Sequence, residues 1–449
     1  MKCINAIILA AGKGTRMNST KPKVLQTLSD KTLLGHVLTQ AQALCSKVFV
    51  VIGFGGNQVR HFFQHDSINW VEQADQLGTG HAVAQAMPYV DEDSISLVLY
   101  GDVPLIRQST LKKLTTQAQK NGVALLSVTL KNPAGYGRII RQNNQIQAIV
   151  EQKDANSAQL KICEVNTGIM AVDSNLLKTY LHNVNSNNAQ GEFYLTDIIA
   201  MAVGAGKTVA SIVADNEFEV AGVNDKIQLA ALEKVFQQNQ ANQFMQQGLT
   251  LRDPDRFDCR GRLSFGQDCE IDINVVIEGN VSLGNNTTIA ANCIIKNAKI
   301  DNNVSILPNS LIENAVIGEG ASIGPFARIR PDTKIGNNAK IGNFVEVKKS
   351  TIGEGSKISH LSYVGDTVMG TGVNIGAGVI TCNYDGVDKH QTTIGDGAFI
   401  GSDSQLIAPV VIGKNALIGA GSTITKEAPA NALTLSRTKQ SSLKKRQKS

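Results

Sequence analysis

The sequence predicts an α/β domain joined through a long connecting helix to an all-β solenoid of six-residue repeats. Three observations carry this. Up to about residue 225, short apolar runs alternate with apolar residues at helical spacing. Residues 225–247 contain neither Gly nor Pro. After residue 251 the apolar period changes to six.

In the first part, Ala6–Ala10 (AIILA) reads as a buried parallel strand and Val48–Ile52 (VFVVI) as another. Between them Leu33, Leu34, Val37, Leu38, Ala41 and Leu44 recur at helical spacing. Leu97–Tyr100 and Ala124–Val128 continue the series. Strand and helix in alternation predict a doubly wound sheet, whose ligands sit beyond the C-terminal ends of its strands. In residues 226–250, Leu229, Leu232, Phe236 and Phe244 fall near one helical face. That stretch reads as a connecting helix, or alternatively as the outer layer of one domain.

The third part, residues 251–449, steps through Ile317, Ile323, Ile329, Ile335 and Ile341, then Ile394, Ile400, Leu406, Ile412 and Ile418. An earlier run, Ile271, Ile277, Leu283 and Ile289, has the same step. Period six fits neither an amphipathic helix nor a hairpin; it fits a solenoid with one inward aliphatic per short strand. Three such faces close a coil of about 18 residues, giving roughly ten coils. Stacked aliphatics fill such a core, in keeping with 5% aromatics and a single Trp, Trp70. Between Ile380 and Ile394 the step gives way to an excursion, TCNYDGVDKHQTT. Insertions of this kind lie on the solenoid surface and commonly carry function.

The charge excludes less than it first implies. Net charge is +5, but Arg437, Lys439, Lys444, Lys445, Arg446 and Lys448 form a basic tail without acids, leaving −1 for the other 436 residues. No basic face with aromatic platforms points to nucleic acid. Apolar runs stay short of the roughly 20 residues a membrane helix needs, and the N-terminus has no cleavable signal pattern. Seven dispersed cysteines, without a CxxC pair, predict free thiols. Cys259, Cys269 and Cys293 read as small buried residues. A cytoplasmic protein, bound to neither nucleic acid nor membrane, is expected.

Three sets of residues suggest chemistry. Leu9-Ala-Ala-Gly-Lys-Gly-Thr-Arg-Met17 follows a buried strand, with neither Walker A nor dinucleotide-fingerprint spacing. Its glycines offer backbone N–H groups to phosphate, and Arg16 and Lys23 add charge. Spacing alone leaves equal room for an ordinary turn. Asp102 follows the strand Leu97–Tyr100 and suits Mg²⁺, which takes few protein oxygens, although a loop cap is the commoner role. His360 is third in its unit, where side chains point outward. A solvated histidine is the plain reading, but Arg330 and Lys348 on neighbouring coils suit a substrate phosphate.

LAAGKGTRM with Lys21-Pro-Lys-Val-Leu25 resembles the signature of sugar-nucleotide pyrophosphorylases. The resemblance continues through Gln73, Leu77-Gly-Thr-Gly-His81, Tyr100-Gly-Asp-Val-Pro104, Gly135-Tyr-Gly-Arg138, Glu151-Gln-Lys-Asp154, Glu164-Val-Asn-Thr-Gly168, Gly191-Glu-Phe-Tyr-Leu-Thr-Asp197 and Gly222-Val-Asn224. Together with the repeats, the whole chain resembles the bacterial family that combines N-acetylglucosamine-1-phosphate uridylyltransferase with glucosamine-1-phosphate N-acetyltransferase. That implies a Rossmann-like nucleotidyltransferase domain (1–225), a linker helix (226–250) and a left-handed parallel β-helix (251–449).

For uridylyl transfer from UTP, the resemblance implies that Leu9, Ala10, Ala11, Gly12, Lys23, Gln73, Gly78, Thr79, Tyr100 and Gly101 bind substrate, Gln73 and Gly78 reading uracil. Gly137, Glu151 and Asn166 would hold the sugar, Asp102 and Asn224 would hold Mg²⁺, and Arg16 and Lys23 would be catalytic. For acetyl transfer, His360 would be the general base and Arg330, Lys348, Tyr363 and Asn374 the sugar contacts. Ala377, Asn383, Tyr384, Ser402, Ala420 and Arg437 would contact acetyl-CoA, with Asn374 also reaching the coenzyme and Asn383–Tyr384 bordering the sugar. A homotrimer through the β-helix, with sites between subunits, is implied. No coenzyme contact carries over beyond Arg437, and Lys348 and Lys349 both stay open as the phosphate contact. A solenoid serving only as an oligomerisation platform would not need His360 or Asn383–Tyr384. A degenerate head would not keep Arg16, Lys23, Asp102 and Asn224.

Overall fold

The computed structural model describes residues 2–64 and 66–445. Arg446 and Lys448 of the basic tail lie outside the described residues. The chain divides into two compact units, Met1–Phe236 and Gln237–Ser449. Among the described residues, no helix is long and apolar enough to cross a membrane.

The first unit is built on a nine-stranded sheet. Its central strand Cys3–Leu9 runs parallel to Lys47–Ile52 on one side and Ser94–Tyr100 on the other, with Leu9 opposite both Val51 and Tyr100. The three strands therefore end at one edge, and the loops after Leu9, Ile52 and Tyr100 meet there. Helices cover both faces, each over its own apolar cluster. The strands reach further back than the apolar runs because polar Asn5, Ser94 and Ser96 are fully buried. They form a network: Asn5 Nδ2 donates to Ser94 Oγ at 3.1 Å, and Ser174 Oγ lies 2.7 and 2.8 Å from the hydroxyls of Ser94 and Ser96. The Asn5 amide nitrogen and both hydroxyls are hydrogen-bonded, while Asn5 Oδ1 is left without a partner. Paired polar groups cost little in a core, so these residues interrupt the hydrophobic pattern without ending the strand.

One feature departs from a simple doubly wound sheet. Glu164–Asp173 runs antiparallel to both Ser94–Tyr100 and Val123–Thr129. The chain reaches it from the hairpin Arg138–Gln142/Gln145–Val150, so it enters from the opposite end. Hydrophobic pattern carries no strand direction, which is why the sequence was silent here. The register slips between Asn166 and Met170, and the irregularity lies beside the site.

The second unit is a β-helix of parallel strands. One face is an eleven-stranded sheet; the other two join as a seventeen-stranded sheet. Thr288 pairs with Ser305, Ser305 with Ser322 and Ser322 with Lys340, so coils take 17 or 18 residues. Asn374 pairs with Phe399, and the longer step accommodates the excursion. The inward aliphatics form one continuous core, which also takes Cys259, Cys269 and Cys293, each 0% exposed. The cysteines are thiols rather than disulfides. Corners adopt left-handed backbone, and Asn fills many of them, as at Asn286 (φ 53°) and Asn303 (φ 58°). Asn286 Nδ2 donates to Asn303 Oδ1 at 3.2 Å, so corner residues also stack.

The helix Lys226–Gln246 contains the boundary between the units. Its first half packs Leu229, Leu232 and Phe236 with Met17, Leu28, Leu33 and Val223. Its second half belongs to the solenoid: Ala241, Phe244 and Met245 lie on the first coils. Gln237 Nε2 donates to Cys259 O at 3.2 Å, and Cys259 N donates to Gln237 Oε1 at 2.9 Å.

Candidate active sites

In the first unit, the loops at the shared strand edge gather the expected polar groups. Lys23 Nζ is ion-paired with Asp102 Oδ2 and lies 3.5 Å from Asn224 Oδ1. Arg16 Nη2 donates to the same Asn224 oxygen at 3.0 Å. Asn224 comes from a distant part of the chain and is brought in by the backbone: Val223 N donates to Asp102 O at 2.9 Å. The Lys23 and Asp102 side chains are only 13% and 17% exposed, so their attraction is sheltered from bulk water. One anionic and one neutral oxygen thus converge on a single cationic nitrogen. A sparse, hard-oxygen donor set of this kind fits Mg²⁺, which is commonly held by one or two protein oxygens plus phosphate and water.

Beside this cluster, Leu9, Ala11, Gly12, Gln73, Gly78, Thr79 and Tyr100 line a pocket of about 210 Å³. Gln73 is nearly buried, and its Nε2 donates to Gly78 O at 3.2 Å. Gly78 has φ 113°, and a Cβ there would lie 2.7 Å from Phe193 O, so only glycine fits. Ala10 and Gly101 are not in the pocket's lining: Ala10 is buried, and Gly101 N donates to Leu9 O at 2.9 Å. Gln76, which the sequence does not single out, and Glu192 of the Gly191–Asp197 motif also line it.

The residues expected at the sugar lie close together. Asn166 N donates to Gly137 O at 2.9 Å, and a Cβ on Gly137 would sit 3.2 Å from both Glu151 carboxylate oxygens. Glu151 Oε1 accepts from Thr196 Oγ1 at 3.1 Å. Burial pushes the Glu151 carboxyl above its ordinary range, against the pull of that hydrogen bond. Burial, with Glu151 and Asp102 nearby, likewise raises the Tyr100 phenol. Asn166 Oδ1 is buried with no hydrogen-bond partner, an arrangement a substrate hydroxyl or amide would relieve.

In the second unit four of the expected residues, His360, Ala377, Ser402 and Ala420, fall on one line. Asn343 pairs with His360 in register. The same register continues through Ala377, Ser402 and Ala420, because Ile358, Ile375, Ile400 and Ile418 pair in succession. Asp403 N donates to Ala377 O and Gly421 N to Ser402 O, each at 2.8 Å. Arg437 Nη1 donates to Ala420 O at 2.9 Å and closes the far end. Three coil steps from His360 to Ala420 span about 14 Å at the usual strand spacing. His360 is exposed, as its place in the repeat implied, and its Nδ1 lies 2.7 Å from Asn343 Oδ1.

A neighbouring face carries the cations. Arg330 lies one coil above Lys348, and Lys348 pairs in register with Gly365, two residues past Tyr363. Arg330 Nη1 donates to Glu346 Oε1 at 2.7 Å. The Lys389 ammonium beside Lys348 pushes that lysine below its ordinary range. Lys349 instead points to Asp366, at 3.5 Å. The excursion brings Lys389 into place through a bridge between Tyr384 and Lys389. Asp385 organises that loop, accepting from Val387 N at 2.8 Å and Asp388 N at 2.7 Å and pairing with His390 at 2.7 Å. Asn383 is buried and donates to Asp366 Oδ2 at 2.5 Å, while Tyr384 is exposed. Asn374 is half-buried beside Phe399 in the ladder.

Sequence reasoning missed Asn343 and Lys389. Asn343 stands 17 residues before His360, one coil away, so the solenoid period held the signal. Lys389 lies in a non-repetitive loop, where no period applies. A wider groove of about 880 Å³ along the solenoid, from Arg262 to Lys334, gathers none of the expected residues.

A MobA-like NTP transferase domain matches residues 6–157. Bacterial transferase hexapeptide repeats match residues 264–297, 314–349 and 391–426. The chain is 69% identical over 444 residues to bifunctional protein GlmU of Ruthia magnifica, covering 99% of this chain and 98% of that protein. It is 68% identical to the protein of that name from Vesicomyosocius okutanii, with both chains fully covered, and 54% identical to that of Acinetobacter baylyi, over 97% and 96% of the two chains. With a nucleotidyltransferase head and a hexapeptide solenoid matched along nearly its full length, the chain belongs to the GlmU family of bifunctional proteins.

Proposed function

We propose that the second unit acetylates glucosamine 1-phosphate with acetyl-CoA and that the first transfers UMP from UTP to the resulting N-acetylglucosamine 1-phosphate, releasing pyrophosphate. One observation in each unit carries the reading. In the first it is the convergence of Lys23, Arg16, Asp102 and Asn224 beside a pocket at the strand edge. In the second it is the single line from His360 through Ala377, Ser402 and Ala420 to Arg437.

For uridylyl transfer, Asp102 and Asn224 would hold Mg²⁺, which when bound neutralises phosphate charge. Arg16 and Lys23 place positive charge on the triphosphate, Lys23 turning from Asp102 to phosphate. Gln73 and Gly78 read the base, while Glu151, Gly137 and Asn166 hold the sugar. A phosphate oxygen of the sugar phosphate attacks the α-phosphorus in line, the bond to the pyrophosphate oxygen breaks, and no covalent enzyme intermediate is needed. Positioning and charge neutralisation provide the acceleration.

For acetyl transfer, Arg330, Lys348 and Lys389 form the phosphate end, with Tyr363 and Asn374 along the sugar. Lys348 is favoured over Lys349, which is engaged by Asp366. His360 takes a proton from the 2-ammonium group, and the freed amine attacks the thioester carbonyl. The carbon–sulfur bond then breaks, and the second proton lost by the attacking nitrogen goes to the leaving thiolate, giving the amide and free thiol. The line of small residues lets an extended coenzyme lie along the coils, with Arg437 at its far end and Asn383–Tyr384 at its side.

A solenoid oligomer, a homotrimer by family resemblance, completes this reading. Cysteine thiols at exposed or half-buried positions such as Cys3, Cys45 and Cys163 support a reducing compartment such as the cytoplasm. Asp102→Asn should lose uridylyl transfer by about 100-fold or more, in the range of lost electrostatic groups, while acetyl transfer stays near normal. His360→Ala should do the reverse, by about 10²- to 10⁴-fold. Assays of pyrophosphate and free thiol on both variants decide: loss of both activities together, or of neither, would refute the assignment.

A further inference from the structure

We infer that Asn343 is a positioning residue for acetyl transfer, fixing which nitrogen of His360 carries the proton. The inference rests on His360 acting as the general base. Asn343 Oδ1 lies 2.7 Å from His360 Nδ1, so the amide oxygen accepts the Nδ1–H. The neutral ring then carries its lone pair on Nε2, at the exposed side of the ring. A free histidine side chain favours the opposite tautomer, with the proton on Nε2 and the lone pair on Nδ1. Without an acceptor, the basic nitrogen would face the preceding coil and the outer one could only donate. The residue that holds one ring nitrogen thereby sets the role of the other.

The scaffold holds this contact at both ends. Asn343 and His360 close the paired strands Lys340–Asn343 and Lys357–His360 and face each other in register. Leu361 N donates to Asn343 O at 3.1 Å, which ties the two corners together. Gly342, just before Asn343, approaches the next coil so closely that a Cβ would lie 1.9 Å from Ser359 O. The spacing of the two side chains is therefore set by backbone contact. A neutral amide orients the ring without placing a charge against it, and when Nε2 takes the substrate proton, Nδ1–H keeps its acceptor throughout.

The test uses the full-length protein labelled with [¹⁵N]histidine, studied by magic-angle-spinning NMR at alkaline pH, with the His360 signals assigned by their loss in His360→Gln. In the unsubstituted protein His360 should show a protonated Nδ1 and an unprotonated Nε2. Asn343→Leu, similar in size but without an acceptor, should move the proton to Nε2. It should also lower kcat for acetyl transfer about 10- to 100-fold, with KM for both substrates within about twofold and uridylyl transfer unchanged. Asn343→Asp, which keeps an acceptor, should retain the Nδ1–H signature. A proton on Nε2 in the unsubstituted protein would overturn the inference, and so would an Asn343→Leu protein that keeps the Nδ1–H tautomer or its kcat. An active His360→Gln protein would overturn the general-base reading itself, an outcome distinct from all of these.

Discussion

At the scale of single residues, the first site keeps a carboxyl where ionisation is unfavourable. Partial burial makes the charge of Glu151 costly, and nearby Asp154 and Asp197 add to the rise in its pKa. A carboxyl whose folded pKa lies above its unfolded value binds more protons when folded. Stability therefore falls as pH rises from the ordinary carboxyl range through the raised value, and is level beyond it. Glu151→Gln removes the ionisation and should raise the melting temperature of the first unit at pH 7.5, by a margin that shrinks as pH is lowered. Trp70, the chain's single tryptophan, lies in that unit and reports its unfolding by fluorescence. A gain independent of pH would sink the burial argument. The same variant should lose about 10-fold or more in kcat/KM for the sugar phosphate, as expected when a hydrogen bond to a charged group is removed. Much of this site was legible, because glycines and charges after buried strands mark a strand edge. The unpartnered oxygen of Asn166 was not, since satisfaction of a buried atom depends on neighbours far away in sequence.

At the scale of elements, the repeat was the clearest signal, because one aliphatic every six residues has no other compact solution. The antiparallel strand Glu164–Asp173 and the ownership of the long helix were not legible: apolar spacing gives neither a strand's direction nor a helix's partner. The second half of that helix covers the end of the solenoid. Leu249, Ala241 and Phe244 shield the first coils, and Phe244 meets Phe257 and Phe265 edge-on at 6.2 and 5.8 Å. Solenoids need such caps, since a terminal coil has core on one side only. A fragment beginning at Gln237 should therefore be more stable than one beginning at Leu251, by about 3 kcal/mol if two large apolar side chains lose their cover. Denaturant unfolding followed by circular dichroism measures this directly. Equal midpoints for the two fragments would show that the helix end is dispensable to the solenoid.

At the scale of the whole molecule, a column of exposed apolar residues supports assembly through the solenoid. Phe326, Phe344 and Leu361 are 49%, 56% and 63% exposed on successive coils, and the two phenyl rings stack at 5.2 Å. All three occupy left-handed corners, with φ of 55°, 57° and 49°, where Asn or Gly sits more easily. Each bulky residue there costs about 1–2 kcal/mol in backbone strain, so the column is an unfavourable choice for a lone chain. It runs beside Asn343 and His360, each one residue before Phe344 and Leu361. A second copy covering the column would remove its apolar surface from water and reach the acetyl-transfer site in the same step. Phe344→Asp places a charge in that contact and should dissociate the oligomer by sedimentation. It should also lower acetyl transfer at least 10-fold while uridylyl transfer is kept. The fold of each chain should survive, because the side chain is exposed within it. Ile227→Asp, at an exposed apolar residue in the first unit, should change neither assembly nor acetyl transfer. If Phe344→Asp leaves the oligomer intact and acetyl transfer unchanged, the column is not the seam between copies.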